Sequence, residues 1–227
     1  MLPGISAVAF DLDGTLYPNY RLNIRLLPFL CRHWPLLAAF GRAREIIRRE
    51  QQEFPAALPD FYAHQAQVTA NLLHAPPELI EKKIERLIYR GWEPFFLRIK
   101  LFPHVREVLA ELRSAGLKLG LLSDFPPHAK LENLGIVGYW DAALCSEHFG
   151  ALKPAALPFA ELAKALECPP EQVLYVGNSQ RCDVAGAARA GMKSARLSGL
   201  WGGGFAAKYR ADFTFHDYRQ LRDFVLQ

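Results

Sequence analysis

Val8-Ala9-Phe10-Asp11-Leu12-Asp13-Gly14-Thr15-Leu16 is the stretch that decides the fold. An apolar run ends in two carboxylates two residues apart, and a glycine follows at once. In a strand, alternate side chains share a face, so Asp11 and Asp13 converge once the chain bends at Gly14. Two carboxylates at close range repel, and burying them is costly unless a cation or a proton compensates. One can attack while the other handles a proton, with a hard cation such as Mg2+ holding the site together. A plain strand end followed by a turn uses the same residue types and stays open on these residues alone.

Further along, apolar runs of strand length alternate with helical patterns. Leu117 to Leu122, Ala142 to Cys145, Val173 to Val176, Ser194 to Leu197 and Phe213 to Phe215 read as strands. Val105, Val108, Leu109 and Leu112 have helical spacing before Gly116. Phe159, Leu162, Ala163 and Leu166 repeat it before Pro169-Pro170, and a small helix spans Val184 to Ala190. Such alternation predicts an α/β fold, a parallel Rossmann-like sheet with helices on both faces. Residues 17 to 94 differ in texture. Arg44 to Gln52, Phe61 to Leu73 and Pro77 to Gly91 are helical in pattern, and no strand is predicted there. The expected division is a core of residues 1–16 and 95–227 and an inserted all-helical block of residues 17–94. Gly202-Gly203-Gly204 reads as a loop.

In open α/β sheets, ligands sit beyond the carboxyl ends of the strands. Asp11 and Asp13 follow the first strand, and Ser123 and Asp124 the second. Ser146, Glu147 and Lys153-Pro154 follow the third, and Gly177, Asn178, Ser179 and Asp183 the fourth. Carboxylates, a hydroxyl and an amine at one edge suit an anion and a divalent cation bound together.

Composition bounds the function. The chain of 227 residues is 51% hydrophobic, as expected of a globular protein, and its net charge of +4 gives no sign of a nucleic-acid partner. Cys31, Cys145, Cys168 and Cys182 are scattered, which favours free thiols in a reducing cytoplasm over a disulfide framework or a zinc site. No signal peptide is read at the N-terminus. Leu26 to Phe40 is apolar, with arginines on both sides. It is too short to cross a bilayer and reads as packed helices, with a membrane-surface helix as the alternative. Oligomeric state is left open.

The four polar stations, in this order, resemble the haloacid dehalogenase (HAD) superfamily. D-x-D-G-T-L at residues 11–16 resembles its first motif, Ser123 its second and Lys153-Pro154 its third. Gly177-Asn178-Ser179 with Asp183 resembles the fourth, usually written G-D-S with a further D. A helical insert after the first motif is similar to the C1 cap of the phosphoglycolate-phosphatase-like subgroup. The resemblance implies a phosphatase acting on a small phosphorylated metabolite. Asp11 would be the nucleophile carrying an aspartyl-phosphate, and Asp13 the general acid and base. Ser123 and Lys153 would bind the phosphoryl group. Asp11, the backbone carbonyl of Asp13, Asn178 and Asp183 would surround Mg2+.

Asp13 favours phosphoryl transfer within the family, because dehalogenases acting on carbon carry another residue there. Asn178 departs from the pattern, since an aspartate usually supplies a direct metal ligand at that place. The amide then binds the metal without charge, Asp183 takes over, or the enzyme is impaired; the first two together are favoured. The rival readings are a phosphomutase, a dehalogenase-like hydrolase and a non-catalytic phosphate-binding protein. Arg21, Arg25, His33 and His64 are candidates for reading a second anionic group on the substrate.

Overall fold

A computed structural model describes residues 1–97, 99–199 and 208–227, the side chains at 21–23 and 25 excepted. The loop expected at 202–204 and the side chains of Arg21 and Arg25 lie outside this part. Six strands, β1 (Ala7–Phe10), β2 (Lys118–Ser123), β3 (Ala142–Cys145), β4 (Val173–Gly177), β5 (Lys193–Leu197) and β6 (Phe213–Phe215), form one sheet in the order β3-β2-β1-β4-β5-β6. Every neighbouring pair is parallel. The chain leaves β1 toward β2 and β3, then returns to β4 on the other side. β1 therefore marks the switch point, and the crevice beyond its carboxyl end is where such sheets bind ligands.

Ten helices accompany the sheet among the described residues: α1 (Asn19–Arg32), α2 (Trp34–Glu53), α3 (Phe61–Leu73), α4 (Pro77–Ile84), α5 (Glu93–Phe96), α6 (Val105–Ser114), α7 (His128–Leu134), α8 (Ala156–Ala165), α9 (Ala185–Arg189) and α10 (Tyr218–Leu226). Side chains of β1 alternate between two cores. Val8 and Phe10 pack with α6 and α10 residues such as Leu109, Leu112, Leu221 and Val225. Ala7 and Ala9 pack on the other face with Phe159, Leu162 and Leu166. With alternate side chains on opposite faces, the middle of the sheet is a buried layer, which is why β1 and β4 are apolar along their length.

Between Tyr17 and Pro94 the described chain is helical. Leu36, Phe40, Ala66, Ala70, Ile80, Ile84 and Ile88 form a separate small core there. Two expected helices are interrupted. The one predicted over 77–91 leaves α-geometry after Ile84 and continues as a π-turn, Glu85–Tyr89. The one predicted from Val184 opens earlier, as a π-turn over Gln180–Val184, with the Ser179 hydroxyl accepting from Cys182 N–H. The helix predicted from Arg44 begins at Trp34, with Pro35 in its first turn, where a missing N–H costs nothing. The apolar run 26–40 thus spans two helices. Leu26, Leu36 and Phe40 are buried, while Leu27 and Trp34 are exposed. No helix among the described residues is long and apolar enough to cross a membrane.

Candidate active site

β1 delivers Asp11 into the crevice. The Asp11 N–H still donates to Val176 O at 2.8 Å, so the sheet ladder fixes its backbone. The chain then turns tightly, with the N–H groups of Thr15 and Leu16 directed at Leu12 O. Gly14 sits at φ +88°, and any Cβ there would strike the side-chain amides of Asn178 and Asn19. Left-handed backbone and close approach both require glycine at this point. The turn places the Thr15 hydroxyl 2.6 Å from Asp11 Oδ2, to which it donates. Tyr218 of α10 donates to Thr15 O at 2.6 Å and pins the turn from behind.

Lys153 is the centre of the cluster. Its Nζ is 2.6 Å from Asp11 Oδ1, 2.8 Å from Asp183 Oδ1 and 3.2 Å from the Tyr175 hydroxyl. Asp183 is fixed on its other oxygen by Ser179 N–H at 2.8 Å. All three charged groups are almost fully buried. Burial pushes the Asp11 carboxyl up and the Asp183 charge adds to it. Lys153 and Thr15 offset this only in part, leaving Asp11 at about 7. For Lys153, burial favours the neutral amine, but Asp11 and Asp183 more than offset it and hold the ammonium well above its usual value.

Asp13 is handled differently. Lys130 Nζ donates to both of its oxygens, at 2.6 and 2.7 Å, and the buried Tyr17 hydroxyl donates as well. Ser123 Oγ stands 3.4 Å from Asp13 Oδ2. Burial again raises the carboxyl, but the Lys130 charge and these hydrogen bonds outweigh it and hold Asp13 below the usual range. Ser123 Oγ also accepts from Phe125 N–H at 3.2 Å. It therefore ties down the turn after β2; α7 begins later, after Pro127.

Asp11, Asp13, Ser123, Lys153 and Asp183 thus come together at one sheet edge, while Asn178 lies exposed against Gly14. His33 packs its ring at a tilt against Phe29, and His64 pairs with Glu50 on an exposed face, so neither histidine belongs to this cluster. Sequence reasoning missed Lys130, Thr15 and Tyr17. Lys130 had a signal: it precedes Leu134 by one helical turn, so a helix burying Leu134 also buries Lys130.

The second ring of contacts comes from α2. Arg44 donates to Glu147, a buried pair joined by Gln65 and the Tyr89 hydroxyl. Burial raises the Glu147 carboxyl, opposed by Arg44. Arg48 donates to Asp124 Oδ2 at 2.9 Å and to Lys153 O at 3.0 Å. Asp124 Oδ1 accepts from Lys153 N–H at 3.0 Å. Gln51 bonds Gly150 O and Leu152 N–H, and Glu45 pairs with Arg181 in fork geometry, two bonds of 2.6 Å.

Among the described residues, no group of three or more His, Cys, Asp and Glu side chains is disposed to hold a metal ion. The expected set contains only two such carboxylates, Asp11 and Asp183, with an amide and a backbone carbonyl. Its donors are all hard oxygens of the kind Mg2+ takes. The raised Asp11 carboxyl is first of all the cost of burying its charge, which Lys153 opposes and Asp183 adds to. A cation would ease that cost, so the residues fit the ion.

Residues 5–191 match the haloacid dehalogenase-like hydrolase family. The chain belongs to that family. It is 38% identical over 217 residues to a phosphoglycolate phosphatase of Salmonella paratyphi A, covering 87% of this chain and 82% of that one. A glyceraldehyde 3-phosphate phosphatase of Methanopyrus kandleri is 30% identical over 199 residues, 85% and 84% of the two chains. In three dimensions, the chain is similar to an L-2-haloacid dehalogenase, with a TM-score of 0.71 over 98% of this chain and 99% of that one at 23% identity. That likeness carries the fold.

Proposed function

We propose that the chain is a Mg2+-dependent phosphatase that hydrolyses a small phosphate monoester through an aspartyl-phosphate on Asp11. The observation that carries this reading is the pair of carboxylates held in different states. Asp11 is set against Lys153 and Thr15, and Asp13 is held by Lys130 and Tyr17 beside Ser123. The two acids have separate partners. For the roles of nucleophile and proton carrier their proton affinities must reverse on binding: the phosphate offsets Lys130 beside Asp13, and Mg2+ would favour the Asp11 carboxylate. The relatives named above as phosphatases support the same chemistry.

In the first step an Asp11 oxygen attacks phosphorus, and the bond from phosphorus to the ester oxygen breaks. Asp13, ionised in the free site, takes up a proton from solvent as the incoming phosphate charge offsets that of Lys130, and gives this proton to the departing oxygen. In the second step Asp13 takes a proton from water as that water attacks phosphorus, and Asp11 is released as carboxylate. Lys153 neutralises charge on Asp11 and the phosphoryl oxygens throughout, and Ser123 donates to one of those oxygens. Asp11, Asp183, the Asn178 amide oxygen and the Asp13 carbonyl would hold Mg2+, which supplies charge neutralisation of the phosphoryl oxygens. In phosphoryl transfer, positioning and neutralisation carry most of the rate. The helices of residues 17–94 act as a cap whose α2 contacts close the site. A reaction at carbon is the second reading, raised by the dehalogenase-like fold, and Asp13 stands against it.

Release of inorganic phosphate from small esters, with and without Mg2+, tests the proposal. Asp11→Asn is expected to abolish turnover. Asp13→Asn is expected to slow it about 10²–10⁴-fold, the usual worth of a general acid–base group. Near wild-type turnover by Asp11→Asn refutes the mechanism.

A further inference from the structure

Beside the acid–base pair lies a cavity of about 490 Å³ whose walls come from both the helical insert and the sheet domain. Tyr62, Tyr89, Trp92, Phe96 and Phe125 line it together with Lys130. Two of these residues are bonded directly to the site. Lys130 holds Asp13, and the Phe125 N–H donates to Ser123 Oγ. A volume of this size is in the range of small-ligand pockets, ~300–1,000 Å³. Its position is that of the group leaving with the ester oxygen, because Asp13 is the residue that protonates that oxygen.

The basic groups on its walls already have acidic partners. Lys130 is held by Asp13, and Arg90 pairs with Glu85 at 2.7 Å. His128 lies 3.6 Å from Glu132 at an exposed edge. Glu85, Glu93 and Glu132 also line the cavity and would repel an anion. The Tyr89 hydroxyl is engaged by Gln65 and Glu147, so it offers no free polar tip. What remains is chiefly aromatic surface, Trp92 included, whose indole N–H is itself buried without a hydrogen-bond partner.

Resting on the phosphatase reading, the geometry points to a substrate whose leaving group is uncharged and flat or apolar. The cavity offers no unpaired cation, among the described residues, for a second carboxylate or phosphate. This separates the chain's own substrate from phosphate esters that carry a second anionic group.

The test compares kcat/KM for benzyl phosphate, phosphoglycolate and glycerol 2-phosphate in saturating Mg2+. Benzyl phosphate is expected to be preferred over phosphoglycolate by about tenfold or more, the scale on which a pocket discriminates a small apolar increment. Trp92→Ala is expected to lower that preference about tenfold. Ala129→Trp, which fills the cavity from the exposed start of α7, is expected to lower it as well and keeps the result readable if Trp92→Ala does not fold. Preference for phosphoglycolate, or a preference unmoved by the folded variants, overturns the inference while leaving the phosphatase reading intact. Failure to release phosphate from any of the three esters overturns that reading, and the inference with it.

Discussion

Asp11→Asn, which should silence the enzyme, should also strengthen the metal-free fold, and the size of that gain follows from the surroundings of Asp11. Burial and the Asp183 charge push its carboxyl from 3.8 to about 7. The protonated form therefore favours the folded state. That contribution is intact below pH 3.8 and is lost as the pH rises through about 7. Between pH 5 and pH 8 about two of these units are crossed, and at 1.36 kcal/mol each the loss is roughly 3 kcal/mol. Asparagine stays neutral and does not suffer it. Asp13 and Asp124 are held low, so their contributions run the opposite way, present above 3.8 and lost in acid. They are common to both proteins and cancel. At ~2–4 °C per kcal/mol for a chain of this size, the melting-temperature gap in favour of Asp11→Asn should widen by about 6–12 °C from pH 5 to pH 8. Thermal unfolding of both proteins in EDTA measures it. A gap that does not change with pH, or a variant less stable than wild type at pH 8, refutes the reasoning.

Arg44→Met leaves Glu147 buried without its cation and should cost about 3–5 kcal/mol in urea unfolding, whereas Arg44→Met with Glu147→Leu should recover most of that. A single variant as stable as wild type would show that the pair does not hold α2 in place. Asn178→Asp adds a carboxylate beside Gly14 and should lower the half-saturating Mg2+ concentration about tenfold, equivalent to ~1.4 kcal/mol. An unchanged Mg2+ titration removes Asn178 from the metal site.

β3 and β6 begin and end where the sequence places them, although both are edge strands with one exposed residue inside, because each is a short run closed at once by residues of other texture. The polar residues at the strand ends were legible for another reason. Parallel strands carry their ligand groups at one edge, so Asp11, Ser123, Lys153 and Asp183 could be placed together from order alone. The π-turns at 85–89 and 180–184 were not legible, since one extra residue in a turn leaves the apolar spacing almost unchanged. The Arg44–Glu147 pair joins residues 103 apart in the chain, and no local pattern announces it. Lys130 belongs between these cases. Its spacing to Leu134 marks it as buried, but only the folded chain shows that Asp13 is what it is buried against.

Helix α2 grips the sheet domain through Asp124 after β2, Glu147 and Gly150 after β3, and Arg181 after β4. Four side chains within three turns of one rigid rod must therefore find their partners on three separate loops at once. Such a joint behaves like a key with several teeth. A helical insert transplanted from a relative would have to bring all four teeth in the same spacing, or the recipient loops would need recutting to match. Exchange of inserts between family members should accordingly succeed when α2 stays with its own sheet and the splice is made after Glu53, and fail when the cut separates the rod from the loops it fits.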